Sequence, residues 1–197
     1  PTGTGNVALG DGALDDGSLS GDYNTALGSS ALTSNTTGGL NVSIGTSSGF
    51  ANTTGSSNTS VGFQSLAANT TASANTAVGY QAGYSNTTLG RLTAVGYFAA
   101  KNTDGGYATA VGWQALTSNT TGGANTTVGY NSLASNTSGS NNSALGHQAL
   151  ITNTTGSANT AVGRDALAAN TTASNNTAVG YQAGYSNITG TSLDAFG

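Results

Sequence analysis

The chain has 197 residues, of which 31 are glycine, one is proline and none is cysteine, and only 5% are charged. The lack of cysteine excludes disulfides and thiolate metal sites, and a net charge of −4 with three separated cations gives nucleic-acid binding no electrostatic basis. No helical apolar period appears, and no run of about 18 apolar residues occurs, so neither helices nor helical membrane spans are expected.

A glycine that follows an apolar residue recurs along the chain every 17 residues, with one interval of 18 and one of 16. A fixed period in this range indicates a solenoid or repeat array. With Asn75 as slot 1, one unit begins N-T-A-V-G-Y-Q-A, continues with glycine or leucine, and later contains N-T-T-G. The slot 5 glycines are Gly10, Gly28, Gly45, Gly62, Gly79, Gly96, Gly112, Gly129, Gly146, Gly163, Gly180 and Gly197.

Three regions follow one another along the chain. Residues 1–23 form an atypical acidic first coil, residues 24–192 form the regular array, and residues 193–197 begin a further repeat. Because both ends interrupt a repeat, we expect a piece of a longer chain or a subunit that stacks end to end. The first coil contains four aspartates that are candidate calcium ligands, the alternative being a charged start that discourages strand addition: Asp11, Asp15, Asp16 and Asp22.

Three slots constrain the fold because they tolerate few residue types. Slot 4 is always apolar, as at Val78, and is predicted to lie inside the coil. Slot 8 is always small, as at Ala82, and is predicted to lie against another backbone. Slot 12 is assigned to an asparagine in every copy but the first, and this residue is predicted to form a tight corner and a ladder of stacked amides. The slot 12 asparagines are Asn35, Asn52, Asn69, Asn86, Asn102, Asn119, Asn136, Asn153, Asn170 and Asn187.

Slots 9 and 10 vary together. Most copies have leucine at slot 9, whereas three have glycine there followed by an aromatic residue at slot 10: Gly49-Phe50, Gly83-Tyr84 and Gly184-Tyr185. We interpret this as one apolar volume, which is filled either by leucine or by a ring that reaches over the glycine. Such an exchange predicts a packed site and argues against disorder.

These patterns predict an all-β parallel β-solenoid, or β-roll, of about eleven 17-residue coils. Short strands such as Thr76–Val78 and Thr109–Val111 are expected along the chain, with two short strands in each coil. Both strand faces are uncharged, so one is expected to close the core and the other, small and regular, to meet an identical chain. A three-chain bundle is the simplest closed arrangement.

The sequence offers few candidates for chemistry. No carboxylate pair recurs at a spacing suited to acid and base catalysis, so an enzyme is not expected. His147 occupies slot 6, where other copies have rings, and is interpreted as a substitute for an aromatic residue. The slot 6 rings are candidate glycan contacts, the alternative being structural packing: Phe63, Tyr80, Tyr97, Trp113, Tyr130 and Tyr181.

Two further hypotheses concern the polar corners. Asn-Thr-Thr sequences match glycosylation acceptors at Asn35, Asn69, Asn119 and Asn153, although an amide ladder also explains these asparagines. Threonine columns are typical of ice-binding solenoids, but the threonines at slots 13 and 14 are adjacent and would point to different sides. No cofactor is predicted, with calcium as the only candidate.

The unit N-T-A-V-G-Y-Q-A resembles the head repeats of YadA-type trimeric autotransporter adhesins, and it is even more similar to "NTAVGYQAL" arrays of phage tail-fibre proteins. This resemblance implies a left-handed β-roll, trimerisation through the roll, and a role in surface fibres or cell adhesion. We therefore expect an extracellular structural segment on a cell surface or virion. Its expected partners are copies of itself and host-surface glycans; the alternatives are a glycan-binding module or a self-stacking filament subunit.

Overall fold

The computed structural model describes residues 3–197 as one stack of coils, in which each coil contributes a single three-residue strand. The strands form one parallel sheet in sequence order, and the described residues contain no helix. Their bounds, β1 to β12, are Val7–Leu9, Thr25–Leu27, Val42–Ile44, Thr59–Val61, Thr76–Val78, Thr93–Val95, Thr109–Val111, Thr126–Val128, Ser143–Leu145, Thr160–Val162, Thr177–Val179 and Asp194–Phe196.

The register places equivalent slots opposite each other in successive coils, as Ala77 lies opposite Ala94. The predicted parallel β-solenoid of about eleven turns is thereby confirmed. The strands Thr76–Val78 and Thr109–Val111 have the predicted bounds. The prediction of two strands per coil is wrong, because the rest of each coil runs through tight corners that interrupt strand geometry.

Each regular coil turns three corners with residues in the left-handed conformation. In one coil these residues are Gln64, Leu66 and Ala74, with φ values of 54°, 49° and 60°. This conformation costs a non-glycine residue roughly 1–2 kcal/mol, so it persists only where neighbouring contacts impose it. The N–H of Gln64 donates to the Thr46 carbonyl in the preceding coil, and that of Leu66 donates to the Ala82 carbonyl in the following coil, both at 3.0 Å.

The slot 5 glycine is required by close approach of backbones as well as by its own conformation. Gly96 has φ 134°, and a Cβ added to it would lie 2.4 Å from the Gly112 carbonyl oxygen of the next coil. Equivalent glycines meet one another in the same way along the stack. Any side chain here would force adjacent coils apart, which explains why this glycine recurs in every unit.

Small residues fill most of the thin interior. The middle residue of strands β2 to β11 is buried, and it packs with slot 8 in the interior, as Ala77 and Ala82 do at 0% exposure. Leucines at slot 9, such as Leu116 and Leu133, supply the largest buried side chains. The restriction of slot 8 to small residues therefore reflects complete burial in a narrow coil.

Slot 12 forms the predicted ladder of asparagine amides. Nδ2 of Asn136 donates to Oδ1 of Asn119 at 2.7 Å and to the Gly139 carbonyl of its own coil at 2.9 Å. The same bond to the preceding coil is made by Asn52 and Asn170. Each amide thus closes a corner and joins two coils, so these buried polar groups stabilise the stack.

A second ladder runs along slot 1. The backbone N–H of Asn142 donates to Oδ1 of Asn125 at 2.9 Å, and Nδ2 of Asn142 donates to the Gly156 carbonyl at 2.9 Å. Asparagine recurs at slot 1 in the repeat, but its structural role was not predicted from the sequence. Sequence conservation among the copies was the available signal, because a buried asparagine must find partners for both amide atoms.

The slot 12 ladder is interrupted in the coil of β6. The placement of Asn102 in this ladder is wrong: Asn102 is exposed, and Thr103, with 0% exposure, takes the position. The coil that is one residue short therefore has its deletion after Thr103, between slot 12 and the next strand. Both amide atoms of Asn86 lack a protein partner, and Thr103 has no amide to donate to Oδ1 of Asn86. At the other end, Asn187 bonds only within its own coil.

The predicted exchange between slots 9 and 10 is also wrong. Phe50 and Tyr185 are 43% and 47% exposed, so rings at slot 10 lie outside the coil and do not cover the glycine. The space above Gly83 is instead occupied by leucines: a Cβ added there would lie 2.9 Å from Leu92 Cδ2 and 3.0 Å from Leu66 Cδ2. Neighbouring coils therefore supply the missing volume.

The residue that compensates for glycine lies in slot 1 of the next coil. Leu92 follows Gly83 by nine positions, and Leu193 follows Gly184 by the same interval. In both places leucine replaces the usual slot 1 asparagine, and its side chain contacts the space above the glycine. At Gly83 and Gly184, glycine at slot 9 with leucine at the next slot 1 thus replaces the regular pair of leucine and asparagine. Gly49 differs, because Asn58 follows it at slot 1 and the space above it is bounded by Leu32, Ser43 and Ser60.

We expect strong coupling between Gly83 and Leu92. Leu92→Asn should empty the space above Gly83 and cost about 2–4 kcal/mol of unfolding free energy, whereas Gly83→Leu should overpack it and cost about 1–3 kcal/mol. The double variant recreates the regular pair and should recover most of that stability. Urea unfolding, monitored by circular dichroism, measures the unfolding free energy of each of the three variants relative to the wild type. Additive losses in the double variant would contradict the assigned compensation.

Candidate functional site

Slot 4 forms an outward row of aliphatic side chains along the solenoid. Val78 is 36% exposed and Leu145 is 50% exposed. The prediction that slot 4 lies inside is wrong, because side chains alternate along a strand and slot 3 takes the interior. The small strand face consequently closes the core, so the prediction that it meets an identical chain is also wrong. This aliphatic column comprises Leu9, Leu27, Ile44, Val61, Val78, Val95, Val111, Val128, Leu145, Val162 and Val179.

An aromatic ladder at slot 6 runs beside the aliphatic column, with only the slot 5 glycine between them. Ring centroids are 5.3 Å apart between Phe63 and Tyr80 and 5.2 Å apart between Tyr80 and Tyr97. Interplanar angles along the ladder lie between 11° and 19°, so the rings are stacked nearly parallel. The continuous part of the aromatic ladder is Phe63, Tyr80, Tyr97, Trp113, Tyr130 and His147.

Stacking determines which part of each ring is available to a ligand. Tyr80 has Phe63 on one side and Tyr97 on the other, and it is nevertheless 41% exposed. Because its faces are turned toward adjacent rings, the ladder presents mainly ring edges outward. Sugar rings bind best over an open aromatic face, so this geometry favours the packing role of the ladder over glycan contact.

His147 extends the aromatic ladder as expected for a ring substitute. It stacks on Tyr130 with centroids 5.0 Å apart, and its Nδ1 lies 3.9 Å from Oδ1 of Asp165. The next slot 6 residue, Arg164, bonds Oδ2 of Asp165 through Nε at 3.2 Å. The guanidinium also lies 5.8 Å from the Tyr181 ring centroid, so Tyr181 contacts a cation and not another ring of the ladder.

The four aspartates of the first coil are not gathered into a metal site. Asp16 accepts hydrogen bonds from the hydroxyl and the backbone N–H of Ser18, which hold the pKa of its carboxyl below the usual value. Asp22 accepts from the N–H of Thr4 at 2.7 Å. Within residues 3–197 no three carboxylates or histidines lie close enough together to hold an ion. The calcium prediction for Asp11, Asp15, Asp16 and Asp22 therefore has no structural support.

The predicted glycosylation sites are inaccessible in the folded chain. Asn35, Asn119 and Asn153 have 0% exposure and Asn69 has 1%. Their Nδ2 atoms already donate to backbone carbonyls, as Asn119 does to Gly122 at 2.8 Å. A glycan on any of these nitrogens would replace these bonds and occupy space that the folded chain already fills. The prediction is wrong for the folded protein, and the ladder role accounts for these asparagines.

No protein-family model, curated protein or solved structure matches the chain. In the part of the chain that the structure describes, no helix has the length and apolar character needed to cross a membrane. The resemblance to adhesin and tail-fibre repeats therefore stays a prediction. Three features of the described surface bear on function: the aliphatic column, the aromatic ladder and the positions of the charged groups.

We expect Asn136→Ala to destabilise the fold by about 1–3 kcal/mol, because it removes the two bonds that Nδ2 donates and the one that Oδ1 accepts from Asn153, and leaves Oδ1 of Asn119 buried without a partner. Asn141→Ala is the matched control: Asn141 is exposed, and the equivalent corner carries alanine at Ala124 and Ala158. Thermal or urea unfolding of both variants measures the difference. Equal losses in the two variants would refute the structural role of the ladder.

Proposed function

We propose that this chain is a structural repeat segment of an extracellular fibre, in which identical chains associate side by side. The supporting observation is a long, uncharged apolar strip made by the aliphatic column and the aromatic ladder. A fibre of this kind would carry adhesive contacts on a bacterial surface or on a phage tail. It requires no catalytic group, and its usefulness lies in rigidity and in the repetition of weak contacts.

Rigidity is supported by the way the coils contact one another. Every strand contacts only the strands of the coils immediately before and after it. With a coil rise of roughly 4.8 Å, twelve strands form a rod about 50 Å long. Backbone bonds and two amide ladders cross each regular junction, so neighbouring coils are held at fixed spacing along the rod.

Lateral association is supported by the chemistry and the period of the apolar strip. Soluble monomers rarely expose large contiguous apolar surfaces, and such surfaces mark interaction sites. Strands β2 to β11 contain no charged residue. A partner that fits the column along its length must repeat at the same axial spacing, and a second copy of the chain does so. We infer a closed three-chain assembly with a left-handed coil, as the resemblance implies.

A pair of charges on the aliphatic column tests this proposal. We expect Val78→Lys with Val128→Lys to abolish self-association, because lateral contact would bury both ammonium groups. The fold should persist, since both side chains point outward. The matched control places the same charges on exposed residues at slot 14, Thr71→Lys with Thr121→Lys, and should associate like the wild type.

Analytical ultracentrifugation of the three proteins gives the mass, and circular dichroism reports the fold. A trimeric wild type with a monomeric Val78 and Val128 variant supports the proposal. A wild type that sediments as a monomer at all concentrations would overturn lateral association through this strip. Equal dissociation of both variants would assign the effect to net charge.

A further inference from the structure

A different outer column, slot 10, alternates between bulky and small side chains and so forms notches. Phe50 and Tyr84 lie two coils apart, and Ala67 occupies the same slot in the coil between them. The space over this alanine is a cavity of about 380 Å³, lined by the two rings, Ala68, Ser47 and Gln64. Ala67 is 8% exposed, so it forms the floor of the notch.

A second notch repeats this arrangement six coils further along the chain. Ala168, at 7% exposure, is the floor, and Ile151 and Tyr185 are the walls. Its cavity of about 270 Å³ is also lined by Asp165 and Gln182. The same three slots therefore build both notches: slot 10 supplies the walls and floor, slot 11 extends the floor, and slot 7 supplies polar side chains.

The first notch has the dimensions of a missing rung in a ladder of rings. Two coils correspond to a separation of roughly 9.6 Å, and the aromatic ladder shows that adjacent coils place rings 5.2 Å apart, as between Tyr80 and Tyr97. A six-membered ring held above Ala67 would therefore lie at stacking distance from both Phe50 and Tyr84. Unlike the rings of the aromatic ladder, these two aromatic side chains have an unfilled position between them.

The polar groups of the notches favour a neutral ligand with hydroxyls. Oε1 of Gln64 accepts a bond from Nε2 of Gln81 at 2.6 Å, and among residues 3–197 no group accepts from Nε2 of Gln64, which leaves its donors free. In the second notch Asp165 supplies an acceptor. Neither notch is lined by lysine or arginine. Hydroxyl groups both donate and accept, so they match these side chains, whereas an acidic ligand would find no cation.

We propose that each notch binds one neutral pyranose ring of a glycan. The sugar stacks on Phe50 and Tyr84 in the first notch and on Tyr185 in the second, where Ile151 forms the opposite wall, and the slot 7 side chains bond its hydroxyls. The two sites lie roughly 29 Å apart on one rod, so a polyvalent glycan surface would engage both and gain avidity. The sites use slots 7, 10 and 11, which the lateral strip of slots 4 and 6 does not include, so the proposal stands independently of chain association.

Filling the notches tests the proposal. Ala67→Tyr with Ala168→Tyr should supply the missing rung in both notches and lower glycan affinity at least about tenfold. Tyrosine is tolerated at this slot, as Tyr84 and Tyr185 show. Ala134→Tyr is the matched control, because Ala134 occupies slot 10 between Thr117 and Ile151 and lines neither notch. Circular dichroism and urea unfolding establish that each variant remains folded.

Binding is measured by saturation-transfer NMR and titration with cellohexaose, maltohexaose and chitohexaose, and with indole as an aromatic probe. Binding of at least one oligosaccharide to the wild type and to Ala134→Tyr, with loss in the double variant, supports the proposal. Failure of all three oligosaccharides to bind the wild type overturns it, as does binding that survives in the double variant. Binding of indole alone would reassign the notches to aromatic ligands and reject the sugar site.

Discussion

The structure depends on one constraint, which is that each slot must bond to the equivalent slot of the neighbouring coil. Parallel strands pair without offset from β1 to β12, and the left-handed corners are held by axial backbone bonds. The slot 5 glycine follows directly from this closeness, since the carbonyl of the next coil occupies the space of a side chain. The recurrence of each slot in every coil is therefore a requirement of the geometry and not only a trace of duplication, and intervals of 16 and 18 residues still keep the strands in register.

Amides play the part in this interior that large apolar side chains play in most domains. The buried residues are mainly alanine, leucine and asparagine, so there is little apolar volume to specify one alignment of coils. Asn136 and Asn142 instead bond to defined atoms in the preceding coil. A one-residue slip would expose them and bury outward residues, which makes the ladders a register device. The polar core thereby specifies the fold as well as stabilising it.

Much of the architecture was predictable from the sequence, because periodicity reports on stacking directly. The strand bounds and the slot 12 ladder followed from residues that vary little between copies. Which face of the strand points inward was not predictable, because both faces are uncharged. A residue that is always apolar, such as Val78, was therefore mistaken for a core residue. Slot 4 is always apolar because its side chains form the aliphatic column on the outer surface. The shortened coil was misaligned at Asn102 because a single missing residue fits the sequence at several places.

The notches of slot 10 were beyond sequence reasoning for a related reason. Ala67 and Ala134 occupy the same slot and look equivalent in the repeat, yet only the first lies between two rings. What distinguishes them is the identity of residues one full coil away on either side. Binding sites in such a protein depend on residues that differ from one coil to the next, whereas the fold depends on residues that are the same in every coil.

The axial direction of the bonds also determines how the rod responds to force. A pull along the axis loads the coil junctions in series, so every junction carries the full tension and the weakest one opens first. Among residues 3–197, the junctions of Asn86 with Asn69 and with Thr103 both lack the slot 12 amide bond, and they lie near the middle of the array. Under axial tension this stretch would open first, and the rod would divide into two stacks that keep the ladders from Asn35 to Asn69 and from Asn119 to Asn170.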